Sequence, residues 1–275
     1  MNKNNEKEIL KPNSFMEGKK GLIMGVANDH SLAWGIAKAL NNSGADLAFT
    51  YQGDAFKKRV EPLAESINCA DTLINCDILK NDQLEDTYKI IKDKWGKLDF
   101  IVHSIAYSDK NELNGKYIDT SKENFLNTLE ISCFSLTNIT KIFEPILSDN
   151  GSILTLTYGG SQQVIPNYNV MGVAKAALEA SVRYLSSDLG LRGIRINALS
   201  AGMMRTLAGS AVKNARDMFK FAETHKPLKD IPLTLEDIGS SGLYLLSDLS
   251  KGVTGETHYV DQGFNIIGMP KTKDL

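Results

Sequence analysis

The sequence predicts an α/β chain built on a doubly wound, seven-stranded parallel sheet with helices on both faces. Three observations carry this expectation. Seven short apolar runs recur along the 275 residues. Helical patterns fill the intervals between them, and such alternation implies parallel strands joined by crossover helices. No internal repeat, low-complexity block or composition shift marks a linker, so residues 15–275 are expected to form one domain.

In chain order, a strand over residues 21–26 leads into a helix over 32–42. A strand at 46–50 precedes a helix at 56–67, and one at 72–75 precedes a helix at 83–94. The strand at 100–104 is followed by a long helix spanning 122–147, and the strand at 152–157 by a helix at 168–189. Val170, Val173, Ala174, Ala177 and Leu178 give that helix a face able to pack on a sheet. After the strand at 195–199, residues 203–229 break the rhythm. Gly209, an apolar scatter of Ala208, Ala211, Val212, Met218, Phe219 and Phe221, and then Pro227 read as a pair of short helices. Placed after the carboxyl end of a strand, this small helical segment is expected to cover a substrate. A helix at 235–247 and a strand at 257–260 complete the pattern. The polar residues 1–14 read as a mobile tail.

Composition narrows the function. A hydrophobic content of 42% and a charged content of 23% are ordinary for a globular chain. The net charge of -2 gives no case for nucleic acid or a membrane surface. Cys69, Cys76 and Cys133 are odd in number and lack ligand spacing, and His30, His103, His225 and His258 are scattered, so neither a disulfide framework nor a metal site is expected. No apolar run reaches the roughly 20 residues needed to span a bilayer, and the start lacks a secretory core, which makes the cytoplasm the default location.

In an open parallel sheet, ligands sit beyond the carboxyl ends of the strands, where helix N-termini offer free amides to phosphates. The first strand and helix are joined by a loop running from Gly25 to Gly35, longer than the GxGxxG fingerprint. Gly25 permits a tight turn, Ser31 can cap the helix and donate to a phosphate, and Gly35 permits close packing on the sheet. The second strand runs into Gln52, where NAD sites usually place a carboxylate for the adenosine ribose. A neutral amide can bond a hydroxyl but gives a 2′-phosphate no strong partner, which favours NADH over NADPH, although Lys57, Lys58 and Arg59 follow closely. Asp77, after the third strand, reads either as an acceptor for the adenine amino group or as a turn cap.

Tyr168 and Lys175 are seven residues apart and so share one face of a helix, two turns of about 3.6 residues apart. A phenol beside an ammonium suggests a proton donor tuned by a cation. A core tyrosine beside a solvated lysine is the alternative.

Further motifs add to this pair. They comprise Gly25-Val26-Ala27 with Ser31-Leu32-Ala33-Trp34-Gly35-Ile36-Ala37, Ala48-Phe49-Thr50-Tyr51-Gln52, His103-Ser104-Ile105-Ala106, Pro166-Asn167-Tyr168-Asn169-Val170-Met171-Gly172, Ser200-Ala201-Gly202, Arg205-Thr206-Leu207-Ala208 and Val260-Asp261-Gln262-Gly263-Phe264. In combination the chain resembles the short-chain dehydrogenase/reductase superfamily, and within it the NADH-dependent enoyl-[acyl-carrier-protein] reductases of bacterial fatty acid synthesis. The resemblance implies a Rossmann-like fold, NADH/NAD+ as cofactor, acyl carrier protein bearing a trans-2-enoyl thioester as partner, and a homotetramer. It places Gly25, Ser31, Leu32, Gln52, Asp77, Ile78, Ile105 and Lys175 on the dinucleotide, with Met204, Arg205, Thr206, Leu207 and Ala208 around its nicotinamide and pyrophosphate end. Tyr158 and Tyr168 would face the acyl substrate, and Ser108 would offer backbone contact. Three positions depart from the pattern: Met203 replaces a usual proline, Gln262 a usual glycine, and Ser132 lies near the superfamily's catalytic asparagine.

Ketone-reducing members of the superfamily carry their tyrosine four residues before the lysine. Here that position is Met171, which has no proton to donate. In an enoyl thioester the hydride enters C3 while charge collects on the oxygen bonded to C1, so a phenol displaced from the nicotinamide suits C=C reduction. Tyr168 would stabilise that enolate, and Lys175 would hold the nicotinamide ribose. Tyr158 either orients the thioester or only packs. Leu207, Ala211, Met218 and Phe221 offer an acyl-chain lining, with Met171 as its floor. Lys213, Arg216 and Lys220 read as a carrier-protein patch or, with Asp217 among them, as ordinary solvated charge. The competing functions are a hydroxy/keto dehydrogenase of the same fold and a non-catalytic dinucleotide sensor.

Overall fold

Parallel strands cannot be joined by tight hairpins, so each crossover must carry its chain across a face of the sheet. A computed structural model of the chain describes residues 14–206 and 215–269. The strands are β1 (Lys20–Met24), β2 (Asp46–Tyr51), β3 (Leu73–Asn75), β4 (Leu98–His103), β5 (Leu147–Thr157), β6 (Arg195–Ala201) and β7 (Thr257–Val260). They form one parallel sheet in the order β3-β2-β1-β4-β5-β6-β7, as expected of a Rossmann-like fold. The order reverses between β1 and β4, where Gly21 pairs with Phe100 and Met24 with His103.

Side-chain alternation along the strands divides the core into two layers. Ile23, Phe49, Phe100, Leu154 and Leu199 point to one face, covered by α1 (Leu32–Asn42), α2 (Gly53–Ser66) and α8 (Leu235–Leu246). Leu22, Met24, Ile101, Ile153 and Ile196 point to the other, covered by α3 (Asn81–Trp95), α5 (Ser135–Phe143) and α6 (Asn169–Leu189). Thr234 starts α8 with a capping box, its hydroxyl accepting from the Asp237 amide while the Asp237 carboxylate accepts from the Thr234 amide. The crossing of α1 and α8 is close: a Cβ on Gly35 would stand 2.6 Å from the Leu235 carbonyl oxygen. Gly35 therefore serves helix-on-helix packing rather than the sheet contact expected from sequence.

The long helix expected over 122–147 is divided. It comprises α4 (Lys122–Leu129), a π turn over Glu130–Phe134, α5, and a 3₁₀ turn over Glu144–Ile146 that contains Pro145. Pro145 lacks the amide that an α-helix would need there, and β5 begins at Leu147 rather than 152. Within the covering segment, α7 (Ala215–His225) is the helix among the described residues, and residues 207–214 lie outside them. The tail expected over residues 1–14 also lies outside, except for Ser14.

Candidate active site

Because every strand is parallel, the residues that follow them collect along one edge. Gly25 follows β1, Gln52 follows β2, Asp77 follows β3 by two residues, Ile105 follows β4 by two residues, Tyr158 follows β5, and Met203 to Thr206 follow β6. Gly25 takes φ +98°, and a Cβ there would collide with the Ser104 carbonyl. The β1–α1 turn thus lies directly against the end of β4, at the reversal in strand order.

Ser31 corrects one expectation. It occupies the N-cap of α1, but its side chain makes no cap bond. Its hydroxyl oxygen instead accepts from the Ala27 and Asn28 amides at 3.0 and 3.1 Å, and donates to Asn28 Oδ1 at 3.3 Å. The long loop needs that internal support; the Trp34 and Gly35 amides turn back to the Ser31 carbonyl at 2.9 and 3.3 Å, which leaves those of Leu32 and Ala33 at the head of α1. Gln52 is exposed at the head of α2 and likewise makes no side-chain cap. Lys57 faces Glu61 at 3.6 Å, while Lys58 and Arg59 are exposed. Asp77 holds a turn: its Oδ1 accepts from the Leu79 amide at 3.1 Å, and its own amide donates to Gln83 Oε1 at 2.8 Å. Ile78 and Ile105 pack against the lower core layer, and Leu32 and Met204 against the other. Arg205 is exposed, Thr206 donates its amide to the Met204 carbonyl at 2.8 Å, and Leu207 and Ala208 lie outside the described residues.

The chemistry gathers where β5 meets α6. Tyr168 precedes the first residue of α6, with φ −106° and ψ −28°. Its ring meets that of Tyr158 edge to face, with centroids 5.2 Å apart and an interplanar angle of 78°. A Cβ on Gly160 would stand 2.5 Å from the Tyr168 ring, so the turn after Tyr158 has to be this small. Burial pushes the Tyr158 phenol up to about 12, with Asp261 adding to the shift. The Tyr168 phenol is also raised, by burial first and then by Tyr158 and Glu179. Lys175 is buried, and its ammonium donates to the Leu156 carbonyl at 2.8 Å. Burial lowers it to about 8, against opposing influences from Cys133 and Glu179. The Lys175 ammonium is thus bonded to backbone at the end of β5, while the Tyr168 ring meets that of Tyr158. Among the described residues, no cluster of His, Cys, Asp or Glu could hold a metal ion.

Comparison with known proteins decides the family: a model described as enoyl-(acyl carrier protein) reductase matches residues 25–265. The chain belongs to the enoyl-[acyl-carrier-protein] reductase family. It is 59% identical over 263 residues to enoyl-[acyl-carrier-protein] reductase [NADH] 2 of Rhizobium meliloti (strain 1021), covering 96% of this chain and 97% of that protein. It is 52% identical over 257 residues to enoyl-[acyl-carrier-protein] reductase [NADH] FabI of Rickettsia typhi, covering 94% of this chain and 98% of the relative. The crystal structure of the enoyl-(acyl-carrier-protein) reductase of Anaplasma phagocytophilum in complex with NAD superposes with a TM-score of 0.90 at 51% identity, covering 94% of this chain and 98% of that one.

Met171 is buried with Leu113, Val170 and Ala174, and Tyr168 packs on that cluster. Ser108 is tied through its hydroxyl, which accepts from Thr128 Oγ1 at 2.9 Å and meets Asn124 at 3.3 Å. Met218 is half-buried on α7, whose Phe221 meets Phe264 edge to face at 6.2 Å. Ser132, in the π turn, accepts from the Tyr107 amide at 2.9 Å and donates to its carbonyl at 3.0 Å, fixing the loop after β4. Gln262 takes φ +59°, a conformation that suits the usual glycine, and donates to the Ile231 carbonyl at 2.6 Å. Sequence reasoning missed Glu179, one helical turn beyond Lys175 and 2% exposed. The signal was a lone carboxylate beside the stripe of Ala174, Leu178 and Val182.

Proposed function

We propose that this reductase converts trans-2-enoyl-acyl carrier protein to acyl-acyl carrier protein in fatty acid elongation, using NADH. The observation that carries this reading is the exchange of roles at the head of α6: Met171 is buried apolar four residues before Lys175, and Tyr168 stands seven before it against Tyr158. The strand-end edge fits a dinucleotide. The first turn of α1 keeps free amides for a pyrophosphate, and exposed Gln52 presents an amide to a ribose hydroxyl. Asp77, Ile78, Ile105 and residues 204–206 complete the holding surface.

Bound there, NADH would supply a hydride for C3 of the thioester; negative charge would collect on the thioester oxygen, and a proton drawn ultimately from solvent would complete C2. Tyr168 keeps its proton because its phenol is raised. It therefore acts as a hydrogen-bond donor to the enolate oxygen, a role worth about 3 kcal/mol in a water-excluded site. Lys175 spends one of its donors on Leu156 and offers the others to the ribose hydroxyls. Tyr158 lines the acyl pocket with Met171 and Met218, under the helix Ala215–His225. This chemistry belongs to the cytoplasm, where carrier-bound acyl chains are elongated.

The test compares thioesters directly. Purified protein should oxidise NADH with a crotonyl thioester and leave an acetoacetyl thioester untouched. Turnover of the keto substrate alone would discard the assignment.

A further inference from the structure

Glu179 is a carboxylate enclosed in the core of a site whose other polar groups already have roles. Thr157 Oγ1 donates to its Oε1 at 2.6 Å, and Gln162 Nε2 donates to its Oε2 at 2.9 Å. Both oxygens therefore accept, and each holds a different residue of the same turn. The two donors bracket the Tyr158 turn: Thr157 ends β5, Tyr158 follows, and Gln162 comes immediately after the 3₁₀ turn Gly159–Ser161. One side chain on α6 thus grips both ends of the segment that presents Tyr158.

The same carboxylate supplies the negative charge near Lys175. The titratable groups acting around Lys175 come from several elements. His103 on β4 is buried between Thr155 and Ser135 and lowered to about 3, so it is neutral. Cys133 in the π turn is raised by burial and stays a thiol. Around Glu179, Tyr168 and, on β7, Tyr259 are raised by burial first and by that carboxylate as well, and both stay phenols, as does Tyr158. Cys133 and Glu179 both favour the enclosed ammonium, and Glu179, buried one helical turn beyond Lys175 on the same helix, is the carboxylate of the two.

We propose that Glu179 is a positioning residue for the reduction: it anchors the Tyr158 turn through Thr157 and Gln162, and it holds Lys175 in its ammonium form. The proposal rests on the reading of Tyr158 and Lys175 as working residues of the site. Its test is kept separate from that reading. The Lys175 resonance is followed by pH titration of lysine-labelled, NADH-free protein, assigned by its loss in Lys175→Met. Glu179→Gln preserves side-chain size and removes the charge, and should lower the Lys175 midpoint by about one pH unit or more. Glu179→Asp, which keeps the charge, should restore most of that shift. An unchanged midpoint in a folded Glu179→Gln protein would overturn the charge role.

Gln162→Leu tests the anchor at an exposed position that folding tolerates. The Ser161, Gln162 and Gln163 amides, which bond to the Tyr158 and Gly159 carbonyls, should then exchange about tenfold faster. Unchanged exchange would overturn the anchor, whether or not Glu179→Gln folds. Failure of wild-type protein to reduce an enoyl thioester would instead count against the proposed function, without touching either result.

Discussion

Lys175 stands enclosed at the end of β5 with its ammonium on the Leu156 carbonyl, and that arrangement has a measurable consequence for stability. Its folded value of about 8 lies below the 10.5 of a free lysine. Below pH 8 both folded and unfolded chains carry the proton, and the folded chain bears the full cost of enclosing it, about 3 kcal/mol at most. Between those two values the unfolded chain holds more protons, so this contribution to stability rises with pH. Lys175→Met should accordingly stabilise the NADH-free protein at pH 7, and the difference should shrink by pH 10; urea midpoints at the two pH values check it. A Lys175→Met protein less stable than wild type at pH 7 would mean that the Leu156 and Glu179 interactions outweigh the desolvation. Tyr168, Lys175 and Met171 were legible in the sequence because a helix turns spacing into shared faces. Glu179 was not, because a carboxylate in an amphipathic helix resembles every solvated one until the sheet that encloses it is known. The cap expected of Ser31 failed for a related reason: its hydroxyl had amides to choose from, and the loop behind it, rather than the helix ahead, won.

At the scale of elements, close contacts between α1 and α8 fix the wall behind the nucleotide edge. Gly35 and Gly239 face one another there, since a Cβ on Gly239 would stand 2.5 Å from the Gly35 carbonyl oxygen. Gly239→Ala should therefore cost about 1–3 kcal/mol by overpacking. Thermal denaturation will register this as a lower Tm, with the catalytic constant near wild type if the strand ends keep their places. Helices 32–42 and 235–247 were legible almost to the residue, whereas the division of 122–147 was not. Apolar periodicity continues through the π turn with no change in residue type. The turn is detected only by what it accomplishes, which is to bring Ser132 onto the Tyr107 backbone.

For the whole molecule, the alternation of apolar runs specified the sheet, and the parallel sheet specified that the residues following its strands share one edge. The edge was legible because parallel topology leaves no other place for them; the bonds between them depend on register and burial, which spacing does not encode. The helices opposite the nucleotide wall leave Leu126, Phe134 and Tyr184 exposed, at 55%, 57% and 78%. We expect these faces to be covered in a homotetramer, so light scattering should return about four times the 30.2 kDa chain mass. Tyr184→Glu should lower that mass while leaving the monomer folded. The central claim, however, concerns the phenol seven residues before the lysine. Its most direct test is the turnover of a crotonyl thioester by Tyr168→Phe, with NADH affinity measured alongside by fluorescence. The catalytic constant should fall about 100- to 1,000-fold, with NADH affinity unchanged. A Tyr168→Phe protein that reduces the enoyl thioester at the wild-type rate would contradict the account.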